Sequence, residues 1–337
     1  MKKKTKYNVA VVGVGAVGIE MLRVLKSRKF PVGQLKVFGR SRRAIDVDGQ
    51  SYQVDELNSD SFKGIDIALF AGTEGEQGAA VTYAKDAVKA GAVVIDNGAD
   101  FRMDKNVPLV VPEVNPGDVK KHKGIIANPN CSTIQMVVAL GPIQKKAGLK
   151  RIIAATYQAV SGGGSKAIAQ TDGEFKAWAN NEPYTGEKVM AQSIAFNIFP
   201  QIGSFSDNDF TTEEWKMVKE THKIMHDPKI QISCTTVRVP VRNVHSEAVY
   251  IETKKPISAD AVRALLKKSK GIVVMDDPKN KIYPMPKDIS GRDEVFVGRI
   301  RKDPAVKTGM WLWIVADNLR KGAATNAVQI AEELIKS

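Results

Sequence analysis

The sequence predicts an α/β fold with two domains: a doubly wound parallel sheet in the N-terminal part and an α+β domain after it. The 337 residues suit two domains of ordinary size. Short apolar runs alternate with helical stretches up to residue 127, and longer strands with fewer helices follow. We therefore assign 1–127 to the first domain, completed by a C-terminal helix at 322–337, and 128–321 to the second.

Residue patterning predicts the elements of each domain. In the first domain, buried strands are predicted at 8–12, 35–38, 65–70, 93–96 and 109–111, and helices at 17–29 and 76–90. In the second, strands are predicted at 151–159, 230–241 and 248–253, and helices at 166–180 and 212–225. Few helices separate these later strands, which favours a partly antiparallel sheet. The tail 322–335 carries one apolar helical face, which we expect to pack on the first domain.

Composition restricts the class of protein. Hydrophobic residues make up 43% and charged residues 26% of the chain, as in ordinary globular proteins. Two cysteines far apart in sequence give no disulfide framework, so we expect a reducing, cytoplasmic environment. No apolar run approaches the roughly 18 residues of a membrane span. The lysine-rich start precedes an apolar run that Glu20 and Arg23 follow at once, without the cleavage pattern of a signal peptide.

The formal net charge of +13 indicates a polyanionic partner or acidic, phosphorylated small molecules. The 50 basic residues are scattered among 37 acidic ones, and no stripe of basic and aromatic residues is present. Nucleic-acid binding is therefore the weaker alternative, and we expect neither a nucleic-acid nor a membrane partner.

A glycine-rich turn after the first predicted strand has the dinucleotide-binding pattern. It opens a predicted helix and consists of Gly13, Val14, Gly15, Ala16, Val17 and Gly18. Glycines let the backbone approach a pyrophosphate, which rests against the helix N-terminus. This strand–turn–helix context predicts a Rossmann-like cofactor domain.

The end of the second predicted strand indicates which dinucleotide binds. An NAD site usually places Asp or Glu there to hold the ribose 2′-hydroxyl. This chain instead has Arg40, Ser41, Arg42 and Arg43. Arginines pair with a 2′-phosphate through charge-assisted hydrogen bonds, so the sequence predicts NADP over NAD. The degree of that preference stays open.

A cysteine stands at the threshold of a predicted buried helix. Cys131 follows a turn around Pro129, and the residues 134–140 after it are almost all apolar. The exposed N–H groups and dipole of a helix start favour thiolate over thiol, and thiolates attack carbonyl carbons. A small core residue is the ordinary alternative for a cysteine. Cys234, inside an apolar strand, is expected to be such a core residue.

Motifs in the order of one known family run over nearly the whole chain. They are 96–97 with 101–102, 111–115, 130–133, 156–162, 238–240, 245–247, 296–301 and 317–324. With a nucleotide domain in front of them, the chain resembles the aspartate-semialdehyde dehydrogenases. The resemblance implies a substrate and dimerisation domain after the cofactor domain, and a homodimer or homotetramer.

The resemblance also implies an activity. It is the NADP-dependent, reversible reductive dephosphorylation of L-4-aspartyl phosphate to L-aspartate 4-semialdehyde through a cysteine thioester on Cys131. This reaction serves the biosynthesis of lysine, diaminopimelate, methionine and threonine. His245 is implied as general acid/base, a role suited to a group that titrates near neutral pH. Gln158 orients the substrate. Arg238 binds the substrate carboxylate, which its planar fork matches.

The same resemblance implies the remaining site residues. Arg102 and Lys216 grip phosphate, and Asn130, beside the cysteine, also belongs to the substrate and phosphate site. Glu213 meets the substrate amino group, although its neighbour Glu214 fits the spacing equally well. The residues implied at the nicotinamide half of the cofactor are Ser161, Gly162 and Asn318.

The chain departs from the family pattern near the cofactor. Its first loop is one residue shorter than the usual G-x-x-G-x-x-G, with Val14 where threonine is common and Arg43 where a small hydroxyl residue is expected. Residues 71–76 are more acidic than the serine-rich loop expected near the ribose. These changes affect cofactor preference and affinity and leave the reaction class intact.

Three alternative functions and one possible metal site compete with this interpretation. An N-acetyl-glutamyl-phosphate reductase shares the cysteine–histidine pair, but an acetylated amine offers no charge to Glu213. A basic nucleic-acid-binding protein is the alternative outside the enzymes. A catalytically inactive relative is disfavoured because Cys131 and its partner residues occur together. His222 and His226 have a metal-binding spacing without further ligands, so no metal is expected.

Overall fold

The computed structural model describes residues 3–71 and 78–336. The chain forms two compact units, Met1–Asn130 with Ala323–Ser337 and Cys131–Gly322. The first unit is discontinuous in sequence and the second is continuous. Within the described ranges, no helix combines the length and apolarity needed to cross a membrane.

The first unit is built around a seven-stranded sheet. Its elements up to residue 130 are β1 (Tyr7–Val12), α1 (Ala16–Ser27), β2 (Val32–Gly39), β3 (Arg43–Val47), β4 (Gln50–Glu56), β5 (Ile67–Phe70), α2 (Ala79–Lys89), β6 (Val93–Asp96) and β7 (Ile125–Ala127). The strand order is β3-β4-β2-β1-β5-β6-β7, parallel except for the β3–β4 pair. Because β1 lies between β2 and β5, the sheet winds outward in both directions, which confirms the doubly wound prediction.

Two details of the first unit differ from the sequence prediction. The predicted strand at 109–111 is wrong, because Leu109 makes only an isolated bridge to Ala127 and the edge strand is β7. The antiparallel pair β3–β4 was not predicted, because its residues form no continuous apolar run. Only alternate residues pack on the core of this unit, namely Ile45, Val47, Tyr52 and Val54, and the other face is largely exposed. Of the predicted helix 76–90, residues 76 and 77 lie outside the described ranges, and α2 covers 79–89.

The second unit carries a mixed sheet with helices. Its elements are α3 (Cys131–Ala147), β8 (Leu149–Gln158), α4 (Gly164–Ala179), α5 (Thr212–Met225), β9 (Gln231–Arg238), β10 (His245–Thr253), α6 (Ala259–Lys267), β11 (Ile272–Val274), α7 (Pro286–Ile289), β12 (Val295–Lys302) and β13 (Gly309–Ala316). The order is β11-β12-β13-β10-β8-β9. The pairs β8–β9 and β11–β12 are parallel and the others antiparallel. A partly antiparallel α+β domain is thereby confirmed.

Strand ends in the second unit determine where functional side chains emerge. β9 ends at Arg238, short of the predicted 241, because Pro240 has no N–H to donate to a ladder. β10 begins at His245, three residues before the predicted start. Both Arg238 and His245 therefore lie at strand ends.

The last helix, α8 (Thr325–Lys336), belongs to the core of the first unit. Its buried apolar residues share one cluster with those of α1 and the central strands. The members on the two helices are Met21, Leu22, Val24, Leu25, Ala327, Val328, Ile330, Ala331 and Leu334. Arg28 Nε and Nη2 donate to the two carboxylate oxygens of Glu332 at 2.7 and 2.8 Å, which adds a bidentate ion pair between α1 and α8.

Candidate active site

The cysteine is the first residue of α3, as the sequence predicted. Cys131 is half-buried, and the helix behind it is buried from Ser132 to Gly141. The thiol therefore stands where the helix has N–H groups without intrahelical acceptors and the positive end of its dipole. Gly322 lies against it, because a Cβ there would come within 2.9 Å of the Cys131 Cβ. The backbone can approach the cysteine this closely only because residue 322 has no side chain.

Three predicted site residues occupy one cross-strand row of the sheet. Gln158 on β8 is paired with Arg238 on β9, and Ser246 on β10 is paired with Tyr157 on β8. His245, directly before Ser246, is therefore level with Gln158. Residues paired across a ladder project from the same face of a sheet. All three side chains are at most 7% exposed.

The start of α5 brings a carboxylate to this row. Glu213 Oε1 accepts hydrogen bonds from Gln158 Nε2 and from Ser132 Oγ, both at 3.1 Å. Lys216 Nζ lies 3.8 Å from Glu213 Oε2. Glu213 thus joins the second residue of the cysteine helix to the cross-strand row.

Its neighbour Glu214 has a different function. Glu214 Oε2 accepts from the Thr211 N–H at 2.8 Å, and the Glu214 N–H donates to Thr211 Oγ1, which is a capping box. Glu214 Oε1 also accepts from the Thr236 N–H at 2.9 Å. Both carboxylate oxygens are thus occupied by the backbone, which leaves Glu213 as the residue of the pair that faces the site cluster.

The surroundings of His245 define its tautomer. The Ala159 N–H donates to His245 Nδ1 at 3.0 Å, so in the neutral ring the proton is on Nε2. Within the described ranges, Nε2 has no hydrogen-bond partner. Burial, assisted by the charge of Arg238, holds the pKa of His245 well below its usual value. The site therefore holds a neutral imidazole whose Nε2–H is available as a donor.

Arg238 is anchored beside the histidine. Its Nη1 donates to the Ala159 carbonyl oxygen at 2.7 Å. The backbone of Ala159 therefore orients both the Arg238 guanidinium and the His245 imidazole. Burial lowers the pKa of Arg238, while the charges of Glu213 and Cys131 act in the opposite direction. The remaining guanidinium N–H groups form a fork that suits a carboxylate.

The predicted nicotinamide-side residues also come together in the second unit. Asn318 Nδ2 donates to Ser161 Oγ at 2.9 Å, and the Val244 N–H donates to Asn318 Oδ1 at 3.0 Å. A Cβ on Gly162 would lie 3.2 Å from His245 Nε2 and 3.1 Å from Arg238 Nη1. A side chain on residue 162 would thus crowd both functional side chains.

The glycine-rich loop in the first unit has the geometry of a pyrophosphate cradle. Gly13 has a φ of 96°, in the left-handed region, and its N–H donates to the Phe38 carbonyl oxygen at 2.9 Å. A Cβ on Gly18 would collide with the Gly13 carbonyl oxygen. Gly15 precedes α1, whose start has no capping side chain and no acidic residue in its first turn. The loop residues therefore fit a bound pyrophosphate against the helix N-terminus.

Basic residues follow the end of β2 at Gly39. Arg40 and Arg42 are exposed, and Arg42 Nε lies 3.5 Å from Asp55. Arg43 Nη1 donates to the carbonyl and hydroxyl oxygens of Ser41, both at 3.2 Å. Arg43 is also the first residue of β3 rather than part of a loop. Of the acidic segment 71–76, all but residue 71 lies outside the described ranges.

Arg102 and Asn130 lie in the first unit. Arg102 is 5% exposed; its Nε donates to the Asn128 carbonyl oxygen at 2.9 Å and its Nη2 to the Asn97 carbonyl oxygen at 2.7 Å. Asn128 is further held by Asn97 through their side chains at 2.8 Å. Arg102 therefore orders the backbone that precedes Asn130 and Cys131 in sequence.

Sequence reasoning missed two buried residues. Ser132 binds Glu213, and Glu247 lies two residues after His245 on β10 with its side chain buried. The signal for Glu247 in the sequence was its place in the motif 245–247, directly before the predicted strand 248–253.

The prediction for Cys234 is confirmed, because it is buried, and burial together with nearby carboxylates raises the pKa of its thiol. His222 Nε2 lies 2.8 Å from the Ile230 carbonyl oxygen.

Two family models cover the two units. The NAD binding domain of semialdehyde dehydrogenase matches residues 8–122, and the semialdehyde dehydrogenase dimerisation domain matches residues 140–321. Fold and site thus define a semialdehyde dehydrogenase, an oxidoreductase with a nucleotide-binding Rossmann-type domain.

Relatives specify the family further. The chain is 53% identical to the aspartate-semialdehyde dehydrogenase of Aquifex aeolicus, over 98% of each chain. It is 49% identical to that of Bacillus subtilis, over 98% of this chain and 97% of the relative. A crystal structure of aspartate semialdehyde dehydrogenase II complexed with ASA from Vibrio cholerae matches with a TM-score of 0.94 and 44% identity over 99% of each chain. The protein belongs to the aspartate-semialdehyde dehydrogenase family, which confirms the resemblance drawn from the motifs.

Proposed function

We propose that the protein reduces L-4-aspartyl phosphate to L-aspartate 4-semialdehyde and inorganic phosphate, reversibly and with NADP. The observation that carries the proposal is the Glu213 cluster, in which one carboxylate bonds both Gln158 and the second residue of the cysteine helix. Arg238 lies in the same row as Gln158. A fixed carboxylate and a fixed guanidinium near one thiol match the ammonium and carboxylate groups of a free amino acid.

Cys131 is the nucleophile of the proposal. In the biosynthetic direction its Sγ attacks the acyl carbon of the substrate, a C–S bond forms, and the C–O bond to phosphate breaks. A reduced nicotinamide cofactor, when bound, would supply the hydride that reduces the resulting thioester. The C–S bond then breaks, the aldehyde forms, and the electron pair returns to Sγ. The helix start supports this step, because it stabilises the thiolate both as nucleophile and as leaving group.

The tautomer of His245 narrows its acid–base role. Nδ1 accepts the Ala159 N–H, so the neutral ring has a proton to give and no acceptor atom facing the site. We assign Nε2–H as a hydrogen-bond donor to the oxygen that gains negative charge on the substrate carbon. The helix start then favours the thiolate of Cys131, and solvent rather than the neutral imidazole accepts the proton of the thiol.

The other residues bind the substrate in this proposal. Arg238 takes the α-carboxylate, Glu213 the amino group, and Lys216 with Arg102 the phosphate. Gln158, held through its Nε2 by Glu213, directs its carbonyl oxygen away from that carboxylate and fixes the reacting group beside Sγ. Glu213 rather than Glu214 is proposed because the backbone occupies both Glu214 oxygens.

NADP is the proposed cofactor, held by the loop at residues 13–18 and by the basic residues after β2. Arg40 and Arg42 are exposed there and match a 2′-phosphate, and Gly39 stands where an NAD site usually has an acidic side chain. Ser161, Gly162 and Asn318 are proposed at the nicotinamide half. We further propose a cytoplasmic homodimer or homotetramer assembled through the second unit, in line with the dimerisation-domain match.

Initial rates of reduced-cofactor formation from L-aspartate semialdehyde test the proposal. NADP is compared with NAD, with and without phosphate, for the unchanged protein, Cys131→Ala and the control Cys234→Ala. We expect a phosphate-dependent, NADP-preferring rate that Cys131→Ala abolishes and Cys234→Ala retains. Activity on N-acetyl-glutamate semialdehyde instead would transfer the assignment to that longer substrate. No rate with either aldehyde would contradict the enzymatic proposal.

A further inference from the structure

A second polar row lies beneath the row of Gln158, Arg238 and His245. Glu247 on β10 is paired with Thr156 on β8, two residues further from the strand ends. Side chains alternate along a strand, so Glu247 projects from the same face as His245. Its side chain is completely buried, at 0% exposure.

Among the described residues, Glu247 has no charged partner of opposite sign. Within the described ranges, neither of its carboxyl oxygens has a hydrogen bond within the geometric limits, and no cation forms an ion pair with it. The groups facing it are the Gln135 amide from α3, Glu213 from α5 and the Cys234 thiol from β9. Its partner on β13 is the apolar Ile314. The nearest ionisable neighbours therefore oppose a negative charge on Glu247.

The Gln135 side chain is also buried without a hydrogen-bond partner among the described residues. It is fully buried on α3, one helical turn after Cys131, and both atoms of its amide group lack a partner among the described residues. A protonated carboxylic acid can both donate and accept, as a primary amide can, whereas a carboxylate can only accept. Burying an unpaired carboxylate is far more costly than burying the neutral acid. Burial, with the charge of Glu213, also raises the pKa of Glu247 well above its usual value, and the Gln135 side chain opposes this only in part.

We propose that Glu247 is a positioning residue that acts in its protonated form. The protonated acid pairs with the Gln135 amide and so fixes the first turns of α3, which carry Cys131 and Ser132. It also keeps a second negative charge away from Glu213 and the cysteine, where that charge would oppose thiolate formation. The inference deepens the proposed function, on which its kinetic part rests.

Infrared spectroscopy of the full-length protein near pH 7 tests the protonation without any substrate. The difference spectrum between unchanged protein and Glu247→Gln is expected to show the carbonyl stretching band of a buried, protonated carboxylic acid. The matched control is Glu174→Gln, since the Glu174 carboxylate is buried but accepts from the Ile194 and Ala195 N–H groups. That control is expected to lose carboxylate bands instead. Loss of carboxylate bands from Glu247→Gln as well would overturn the proposal.

Kinetics test the positioning role. Glu247→Gln mimics the protonated acid and is expected to rescue turnover near neutral pH, whereas Glu247→Ala, which leaves Gln135 unsupported, loses about tenfold in kcat. The alkaline fall in kcat/KM that follows ionisation of Glu247 is expected to move to higher pH in Glu247→Gln. Equal losses in both variants at every pH would mean that the charge is required, and would refute the inference. An inactive unchanged protein would instead refute the proposed function and leave the infrared result standing.

Discussion

Gly162 is the position where one added methyl group gives the sharpest test of the site geometry. It lies directly after β8, in a 3₁₀ turn that ends at Gly163. A Cβ on residue 162 would lie 3.1 Å from Arg238 Nη1 and 3.2 Å from both Cε1 and Nε2 of His245. Ordinary contacts of this kind begin near 3.4 Å, so both side chains must retreat by a few tenths of an ångström.

The displacement sets the size of the expected effect. A misplacement of about 1 Å at a reacting centre can cost about a hundredfold in rate, so a few tenths correspond to a three- to tenfold loss. We expect Gly162→Ala to lower kcat on L-aspartate semialdehyde by about this factor. The melting temperature should change little, because the Gly162 backbone lies outside the left-handed region and the neighbours are side-chain ends.

Steady-state kinetics and thermal unfolding, measured on the same preparations, check this expectation. Gly117→Ala is the matched control, since a Cβ there would meet nothing within 4 Å, and its kinetics should equal those of the unchanged protein. Unaltered kcat in Gly162→Ala would refute the close approach of Gly162 to the two side chains. A large fall in melting temperature would show that the methyl group disturbs the fold rather than the site.

Three further substitutions probe other parts of the molecule. The Glu174 pKa is lowered because hydrogen bonds from Gln170 and the 194–195 backbone outweigh burial. The contribution of Glu174 to stability is therefore present above the usual pKa near 4.5 and is lost as pH falls through the native pKa. Urea unfolding of Glu174→Gln should show a loss of about 2 kcal/mol in the free energy of unfolding at pH 7, and this loss should shrink in acid. Leu334→Ala should cost about 3 kcal/mol in the same assay, because Leu334 is 1% exposed in the α1–α8 core, whereas the exposed Lys336→Ala should cost nothing measurable. Ser132→Ala removes the hydrogen bond to Glu213 and should raise KM for L-aspartate semialdehyde about fivefold, with a smaller effect on kcat. An unchanged KM would show that this hydrogen bond does not contribute to substrate binding.

Features with local causes could be predicted from the sequence. The turn at Pro129 before an apolar run located the start of α3, and the glycine spacing after β1 located the cofactor loop. The apolar run 109–111 misled because burial alone does not distinguish a strand from a buried segment with a single bridge. The β3–β4 pair was missed because its apolar residues stand singly between polar ones, so it has no continuous apolar run.

Features that depend on long-range pairing could not be predicted in the same way. Glu213 and Glu214 are adjacent in the first turn of one helix, and the sequence spacing left both as candidates for the substrate amino group. The structure separates them because Glu214 completes a capping box with Thr211, a pattern visible in the sequence three residues upstream. The partners of Glu213, by contrast, lie 55 and 81 residues away, and only the fold brings them together.

The discontinuity of the first unit affects the order in which the chain acquires structure during synthesis. Residues Cys131–Gly322 are continuous, so the second unit has its full set of strands before Ala323–Ser337 leave the ribosome. The nucleotide-binding unit, translated first, is completed last, because one wall of its core is α8. Until then, the apolar surface of α1 around Met21 and Leu25 has no covering helix and is a site for chaperone capture or aggregation. The part of the chain that is translated first thus belongs to the unit whose core is completed last.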